Sequence, residues 1–487
     1  MGLMTPDEFK ASLNDGRIVY YKGRKIDNVA EDPDLLACVE TAAVDYEMAE
    51  DPRYRDLAVV RDEELGEDIS RFYYTPKNGE DLLKQLELTI KATELGDGYI
   101  PFTHDIGADA MNAISITARS MGDAGAAYLE RIENYRRYLK RTDLSVVAAV
   151  TDVKGDRHLR PSDQRQVHPD FHLRIVERRD DGIVVRGAKA HITAAAYCNE
   201  FFAIPCRALG GAEDADYAVA FALPINTQGI RQIVRPFSSR ISDLEFPVER
   251  PLRRMHTDSL IIFDDVFVPW DRVFLCGEWQ YAATMVYNFA LLHRRTGCAY
   301  RIPMSEHLLG IAQAIAEYNG IAGAPHVREK ITEIVIYLQT LSALSRSACL
   351  DYVDHAGIPV PNPVTTNIAK YHFAHNYHKV VEIIQDLAGG LLVTAPTYKD
   401  WKNPETHDDI EKYLQGIPEL PTEDRLRMFD LIRRLTSGDL ETICLHGEGS
   451  PYAERMTIFM EARKLIARCK KLVDEMAGIP AGERRKD

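Results

Sequence analysis

No stretch of this chain is long and apolar enough to span a bilayer, and its first residues, MGLMTPDEFKASLNDGR, lack the uninterrupted apolar core of a secretory signal. A cytoplasmic location is therefore expected. Cysteine is sparse: Cys38, Cys198, Cys206, Cys276, Cys298, Cys349, Cys444 and Cys469 are scattered through 487 residues, with no CxxC pair. That distribution fits reduced thiols in a large intracellular protein, most of them small buried hydrophobes. Positive charge is short as well, 59 Lys and Arg against 74 Asp and Glu, for a formal net charge of -15. Such a surface repels phosphate backbones and anionic lipid, which argues against nucleic acid and membrane partners but leaves room for a local basic groove holding one small anion. A Gly-rich phosphate loop, HExxH and GxSxG are all missing, so nucleotide hydrolysis, zincin chemistry and the hydrolase elbow lose support. Internal repeats and low-complexity linkers are absent too.

What is present is enough apolar material, 45% of the residues, to bury a large core in two or three layers or domains. Residues 1–145 read as helical, with breaker-free segments such as LLACVETAAVDYEMA, EDLLKQLELTIKATELG and ADAMNAISITARSM. The period then changes to two. Phe171, Leu173 and Ile175 alternate with polar residues, Asp181 and Gly182 signal a two-residue hairpin turn, Tyr217, Val219, Phe221 and Leu223 alternate again, and SLIIFDDVFVPW is β-rich. Residues 146–276 are thus expected to form a β domain. From 277 to 487 the helical period returns, with Leu308, Ile311, Ala312 and Ile315 on one stripe and Val327, Ile331, Ile334 and Leu338 on the next. HAGIPVPNPVT and the stretch from Thr394 to Glu423 read as long polar connections. The fold class is α+β.

Two constellations suggest ligand binding. His372, His375 and His378 have a spacing that invites a metal, but three-residue steps precess around a helix and no nearby carboxylate or cysteine completes a set, so a polar helix face is the better account and no metal site is assigned. Lys189, His191 and Thr193 would share one face of a strand and could meet one ligand; a solvated strand face is the plainer alternative.

The strings TDVKGDRHLRPSDQ, GIVVRGAKAHITAA, DAMNA, FDDVFVPWDRVFLCGEW, QDLAGGLLVTAP and PTEDR run in one order through nearly the whole chain. Together they resemble the 4-hydroxybutyryl-CoA dehydratase branch of the 4-hydroxyphenylacetate 3-hydroxylase superfamily. The resemblance implies an acyl-CoA dehydrogenase-like fold: an N-terminal helical domain, a middle β domain and a C-terminal helical bundle, in an FAD-binding homotetramer. It further implies that Thr151 and Thr193, with Lys189 and His191 beside them, lie toward the flavin ring, and that Gln385, Asp386, Gly389 and Gly390 approach FAD, although Gly389 and Gly390 also fit a plain helix stop. Asp258 and His293 match an acidic and a histidine position near the substrate. A turn residue and a basic patch are their respective alternatives.

The departures from that branch weigh more. Its iron–sulfur ligands would fall at Pro101, Asp105, His293 and Cys298, yet Pro101 has no donor atom and Asp105 offers hard oxygen where thiolate is wanted. A four-ligand cluster is not expected, and Cys298 reads as a packing thiol. His104 and Asp105, adjacent in PFTHDIGAD, could supply the acid–base function instead, with a helix-capping role for Asp105 as the alternative. The oxygenase branch, which takes reduced flavin from a separate reductase, also lacks the cluster. The expectation is an FAD-dependent oxidoreductase, a monooxygenase or dehydrogenase, acting on an aromatic or unsaturated acid or its CoA thioester. A redox-neutral dehydratase or double-bond isomerase is the enzymatic alternative, and a flavin-binding or assembly protein without catalysis the non-enzymatic one.

Overall fold

The computed structural model describes residues 2–235, 245–247 and 256–479. Its strands are β1 (Val19–Tyr21), β2 (Arg24–Ile26), β3 (Val59–Asp62), β4 (Glu67–Ser70), β5 (Val146–Ala149), β6 (Arg174–Arg178), β7 (Gly182–Thr193), β8 (Glu200–Ala203), β9 (Val219–Pro224), β10 (Ile230–Arg235), β11 (Asp258–Pro269), β12 (Val273–Cys276), β13 (Val353–His355) and β14 (Ile358–Val360). The longer helices are α1 (Gly79–Leu95), α2 (Asp105–Ser120), α3 (Ala126–Thr142), α4 (Ala282–Tyr318), α5 (Pro325–Leu350), α6 (Pro363–Ala388), α7 (Thr422–Thr436), α8 (Pro451–Glu461) and α9 (Arg463–Met476).

A six-stranded sheet in the order β2-β1-β10-β11-β7-β6 faces a four-stranded sheet in the order β12-β9-β8-β5. Phe263 of β11 meets Phe201 of β8 and Phe221 of β9, with ring centroids 5.7 and 6.0 Å apart, so the core between the sheets is aromatic and closely packed. The expected alternation along β9 is absent. Val219 to Leu223 are all buried, because this inner strand is covered on both faces, and Tyr217 belongs to a preceding 3-10 turn. The β6–β7 turn has two residues, Asp180 and Asp181, closed by the Arg179 N–H donating to the Gly182 carbonyl at 2.8 Å.

The first 145 residues are not all helical. Val19 and Tyr21 point inward while Tyr20 points out, and the pair β1–β2 extends the middle sheet by pairing with β10. Their turn, Lys22–Gly23, has φ of 50° and 79°, the left-handed pair that matches strand twist in a two-residue hairpin. A second hairpin, β3–β4, follows. The segment HAGIPVPNPVT is likewise no plain connection. It carries the turn and second strand of the β13–β14 hairpin, turned at Ala356 and Gly357 with φ of 51° and 80°. Between Thr394 and Glu423 lie short helices at Tyr398–Lys402 and His407–Tyr413.

The C-terminal helices pack around α4, whose length is carried through the interior against α2, α1, α5 and α6. The expected stripe residues Leu308, Ile311, Ala312 and Ile315 are buried in this core, as are Val327, Ile334 and Leu338 of α5, while Ile331 is only partly buried. On α6, His372 Nε2 lies 3.0 Å from the Tyr337 carbonyl, His375 stacks on Tyr371, and His378 faces Glu441 at 3.4 Å, so the three rings go to different partners.

Lys189, His191 and Thr193 do not share a face. The register shifts between Ser259 and Ile261, and His191 takes a left-handed φ of 60°, so the irregularity breaks the period-two alternation. His191 is exposed and Thr193 half-buried, whereas Lys189 is 2% exposed. Its ammonium is committed to protein: it donates to the carbonyls of Val150 and Ile204 at 2.9 Å each and pairs with Asp152 at 2.9 Å. Lys189→Met leaves the Asp152 carboxylate buried without its cation, and unfolding in denaturant is expected to register a loss of about 3–5 kcal/mol.

Candidate active site

The segment Tyr99–Asp105 runs between the β region and α4 and opens helix α2. Tyr99 and Phe102 contact the ring of His256, just ahead of β11, at centroid distances of 5.8 and 5.7 Å. Phe102, with φ of 59°, also meets Tyr300 of α4 edge-on at 5.6 Å. Two residues after His256, Asp258 accepts a hydrogen bond from Thr193 Oγ1 at 2.7 Å. One continuous zone therefore joins Thr193 and Asp258, the aromatic wall of Phe102 and Tyr300, and helix α2 beginning at Asp105. Thr151 lies on the same side, its carbonyl accepting from the Ala190 N–H at 2.8 Å.

Asp105 is the first residue of α2 and does not cap it; His104 occupies the cap position and its side chain makes no capping bond. The Asp105 carboxyl is 3% exposed, and neither oxygen accepts a well-formed hydrogen bond among the described residues. Burial, reinforced by the charges of Asp45 and Asp109 and only partly opposed by His293 and the Ile106 amide, pushes it up to about 7. Asp109, one turn along α2, is by contrast well partnered. It accepts from Arg295 at 3.2 Å and Thr296 at 2.8 Å, and His293 Nδ1 lies 3.7 Å away with its ring stacked on Phe289.

His104 does not act with Asp105. Its ring turns the other way, among Tyr46, Phe72 and Tyr73, with Nδ1 2.7 Å from Thr103 Oγ1 and 3.6 Å from Asp45, and Nε2 3.3 Å from Asp143. Burial pulls its pKa down, but the Asp143 and Asp45 carboxylates outweigh that and raise it to about 10. The imidazolium is thus a structural counter-ion, and Asp143 also accepts the Met4 N–H at 3.0 Å. The sequence puts His104 and Asp105 side by side, but the entry into α2 sends their side chains to different partners.

Deeper along α4, the carboxylate of Glu448 is inserted between Tyr300 and Arg301, accepting a hydrogen bond from each, with Lys370 Nζ 3.9 Å away. Burial raises its pKa, yet Arg301, Lys370 and His293 more than offset this and hold it at about 2. Gly297 makes the insertion possible: a Cβ there would lie 2.8 Å from the Glu448 carboxyl carbon. Residue types alone did not single out His256, Phe102, Asp109, Tyr300 or Glu448. Only His256 carried a usable signal, its position two residues before Asp258.

The four positions expected from the resemblance to match cluster ligands do not fit an iron–sulfur cluster. Pro101 has no donor, Cys298 packs into the bundle core where burial pushes its thiol up to about 12, and His293 stands beside Asp109. Among the described residues, no group of three or more His, Cys, Asp and Glu side chains converges to hold a metal ion. Gln385 donates to the Thr436 carbonyl at 2.9 Å and Asp386 pairs with Lys330 at the exposed end of α6. Gly389, with φ of 71°, ends that helix, and a Cβ at Gly389 or Gly390 would meet nothing within 4 Å, so the glycine pair leaves open space for a group approaching the backbone.

Helices before and after a β-sandwich, with a long helix crossing the interior, constitute the acyl-CoA dehydrogenase-like fold. Within that fold the chain belongs to the 4-hydroxyphenylacetate 3-hydroxylase family: the N-terminal part of the family matches residues 5–275 and the C-terminal part residues 282–478. It is 33% identical to the 4-hydroxybutyryl-CoA dehydratase/vinylacetyl-CoA-Δ-isomerase of Clostridium aminobutyricum, over 98% of this chain and 100% of that enzyme. It is 31% identical to the oxygenase component of 4-hydroxyphenylacetate 3-monooxygenase from Thermus thermophilus, over 86% and 85%. Among solved structures, the oxygen-tolerant 4-hydroxybutyryl-CoA dehydratase of N. maritimus superposes with a TM-score of 0.91 at 28% identity, covering 100% of this chain and 97% of that one. The oxygenase component of 4-hydroxyphenylacetate 3-monooxygenase, complexed with FAD and 4-hydroxyphenylacetate, gives 0.84 at 28% identity over 98% and 99%.

Two stability experiments follow from the buried charges. The His104 cluster contributes fully below the free-histidine pKa of about 6.5. That contribution is lost as pH rises through about 10, so thermal melts should fall over this range. His104→Gln should abolish most of the slope and cost about 3–5 kcal/mol near neutrality, because Asp45 and Asp143 are left facing each other. Asp105 also lowers stability as pH rises, but as the cost of ionising a buried acid and not as the loss of a favourable pair. A folded-state carboxyl raised to about 7 loses stability as pH climbs from its unfolded value, so Asp105→Asn should be more stable than wild type at alkaline pH. The gain is bounded at about 4 kcal/mol and vanishes toward pH ~4.

Proposed function

We propose that this chain is a cytoplasmic FAD-dependent oxidoreductase, a monooxygenase or dehydrogenase, acting on an aromatic or unsaturated acid or its CoA thioester, with Asp105 as the acid–base residue. The observation that carries the reading is the carboxyl group of Asp105. A buried acid without a well-formed hydrogen bond costs stability at neutral pH, and it sits at the end of the aromatic wall of Phe102 and Tyr300. A group titrating near 7 can both take and return a proton at working pH. His293 stands 3.7 Å from the Arg295-paired Asp109, close enough for its charge to bear on the Asp105 carboxyl.

The residues present suit a flavin. Thr193 spends its hydrogen on Asp258, which fixes the hydroxyl and leaves its oxygen able to accept a further hydrogen bond. Thr151 is tied to the same strand by its carbonyl at Ala190, and Gly389 and Gly390 offer open backbone for the remainder of the cofactor. FAD would supply hydride transfer or oxygen activation. The protein's part is to hold the ring against Thr193, exclude water with the α4 face, and move the substrate proton at Asp105. As an oxygenase it takes its reduced flavin from a separate reductase.

A second reading, a redox-neutral acyl-CoA dehydratase or double-bond isomerase, is favoured by the end-to-end similarity to the Clostridium aminobutyricum enzyme. The two separate on oxygen uptake. Anaerobically purified protein should show a flavin spectrum with FAD but without stoichiometric iron and sulfide, and should consume oxygen when reduced FAD and substrate are supplied. Asp105→Asn should lower turnover by about 10²–10⁴-fold. Stoichiometric iron would overturn the clusterless reading, turnover without oxygen or an electron acceptor would establish the redox-neutral one, and unchanged turnover in Asp105→Asn would remove the carboxyl from the mechanism.

A further inference from the structure

Helix α8 buries two of its residues, Glu454 and Thr457, and both are polar. Glu454 is 0% exposed, and neither of its carboxyl oxygens accepts a hydrogen bond. Lys370 of α6 is equally enclosed, and its ammonium nitrogen makes no hydrogen bond. That nitrogen lies 3.5 Å from Glu454 Oε1 and 3.9 Å from Glu448 Oε2, a small side-chain movement from either carboxylate. A buried pair kept for stability is held at contact and saturated with hydrogen bonds. Arg301 and Glu448 in the same cluster are held so, the guanidinium donating to the Gly297 carbonyl as well. Lys370 and Glu454 are not.

The cluster has one mobile proton. Arg294, Arg301 and Lys370 surround the carboxyls of Glu448 and Glu454, with the Cys298 thiol beside them. Both guanidiniums stay protonated at any working pH, and Arg301 with Lys370 keeps Glu448 ionised. Three cations against two carboxylates leave one positive charge in excess, which the cluster sheds by giving up the proton that Lys370 and Glu454 hold between them. Burial narrows the difference between these two, pulling Lys370 down and pushing Glu454 up, so either can carry it. Asp105 has the complementary need. Its oxygens are sealed from solvent, so an acid–base residue there acts repeatedly only if its proton reaches water between turnovers. The charge of His293 bears on the Asp105 carboxyl and on Glu448 alike. Past Glu454 the way to solvent is short, for its neighbours Tyr452 and Arg455 are exposed.

We propose that Lys370 and Glu454 form the outlet through which the proton collected at Asp105 reaches solvent, with His293 and Glu448 as the inner carriers; the inference rests on the reading of Asp105 as the acid–base residue. The Asp105 O–H bond breaks as an N–H bond forms on the neutral His293 ring, and the imidazolium passes a proton to Glu448. Glu448 passes one to the neutral Lys370 amine, the ammonium gives one to the Glu454 carboxylate, and the Glu454 acid releases one to water. Each carrier returns to its starting state, and the sum is one proton moved from Asp105 to solvent. Glu448, held at about 2, carries a proton only about 10⁻⁵ of the time at pH ~7, yet hops limited by that occupancy outrun a turnover of about 10 s⁻¹ by orders of magnitude. Lys370 and Glu454 act through the other carriers and are positioning residues for the proton.

Time-resolved infrared spectroscopy of the purified full-length protein provides the test. The protonated-carboxyl band of Asp105 is the one missing from Asp105→Asn, and its response to a pH jump across about 7 reports how fast that group exchanges protons with water. In the wild type the band should follow the jump within the mixing time. In Glu454→Gln and in Lys370→Met it should lag by at least ~10-fold, the residual exchange passing through local opening. Lys370→Ala should regain the fast response with methylamine but not with tetramethylammonium, which brings the charge without a transferable proton and so separates a carrier from a structural cation. Glu454→Gln keeps size and shape, and it decides the matter by itself if removal of the Lys370 cation prevents folding. A band that follows the jump as fast in Glu454→Gln as in the wild type, or equal recovery with tetramethylammonium, would overturn the outlet and leave the role of Asp105 standing. Absence of a titrating Asp105 band would overturn both.

Discussion

Helix α4 carries a row of charged side chains through the interior of the protein, and everything packed around it is arranged to answer those charges. Arg294 reaches the Glu448 carbonyl and the Asn367 side chain, Arg295 meets Asp109 and Gln85, and Arg301 pairs with Glu448. A buried ion without a partner costs several kcal/mol, so each cation fixes the position of an element far away in sequence: α1 through Gln85, α2 through Asp109, α6 through Asn367, and the loop before α8 through Glu448. The requirement is strong enough to hold Glu448 in a left-handed backbone conformation, with φ of 62°, against a glycine that leaves it room.

Asp105 is informative against that background. Its neighbours Asp45 and Asp109 are each engaged, one with the Thr103–His104 cluster and the other with Arg295 and Thr296, and their charges bear on a carboxyl that has no cation in contact of its own. Among the described residues, this carboxyl at the head of a helix has neither a well-formed hydrogen bond nor a paired cation, and it bears a stability cost three residues from the aromatic wall begun by Phe102. Such costs concentrate where chemistry is done. In the same region Cys298 is enclosed by the bundle, and the surroundings of Glu448, Arg301 and Lys370 are those of an ion network.

The sequence was legible where side-chain periodicity is local. The α4 and α5 stripes follow the 3.6-residue period, and the change to period two announced the sandwich. It was less legible where turns lacked their common markers. Lys22–Gly23 and Ala356–Gly357 form hairpins without Asn or Asp before the glycine, and the short strands beside them lie among helices, so both were absorbed into helical or loop surroundings. At the candidate site, Asp105, Asp258, Thr193 and His293 were chosen by type and resemblance, while Tyr300, Glu448 and Asp109 carry no local signature, because their significance lies in partners 147 to 187 residues away.

Taken alone, then, the sequence determined the helical, β and helical order of its long segments, the lack of a thiolate at two of the four positions that the resemblance matches to cluster ligands, and the chemical types available at the site. Tertiary structure decided how those types are used. Adjacent His104 and Asp105 diverge because the backbone at the start of α2 directs one ring toward Asp45 and Asp143 and leaves the other group without a cation in contact. Lys189 and Thr193 separate because a register shift breaks the alternation that would have aligned them. Protonation states and partners depend on burial and on charges brought together from distant parts of the chain, and those distances exist only once the chain has folded.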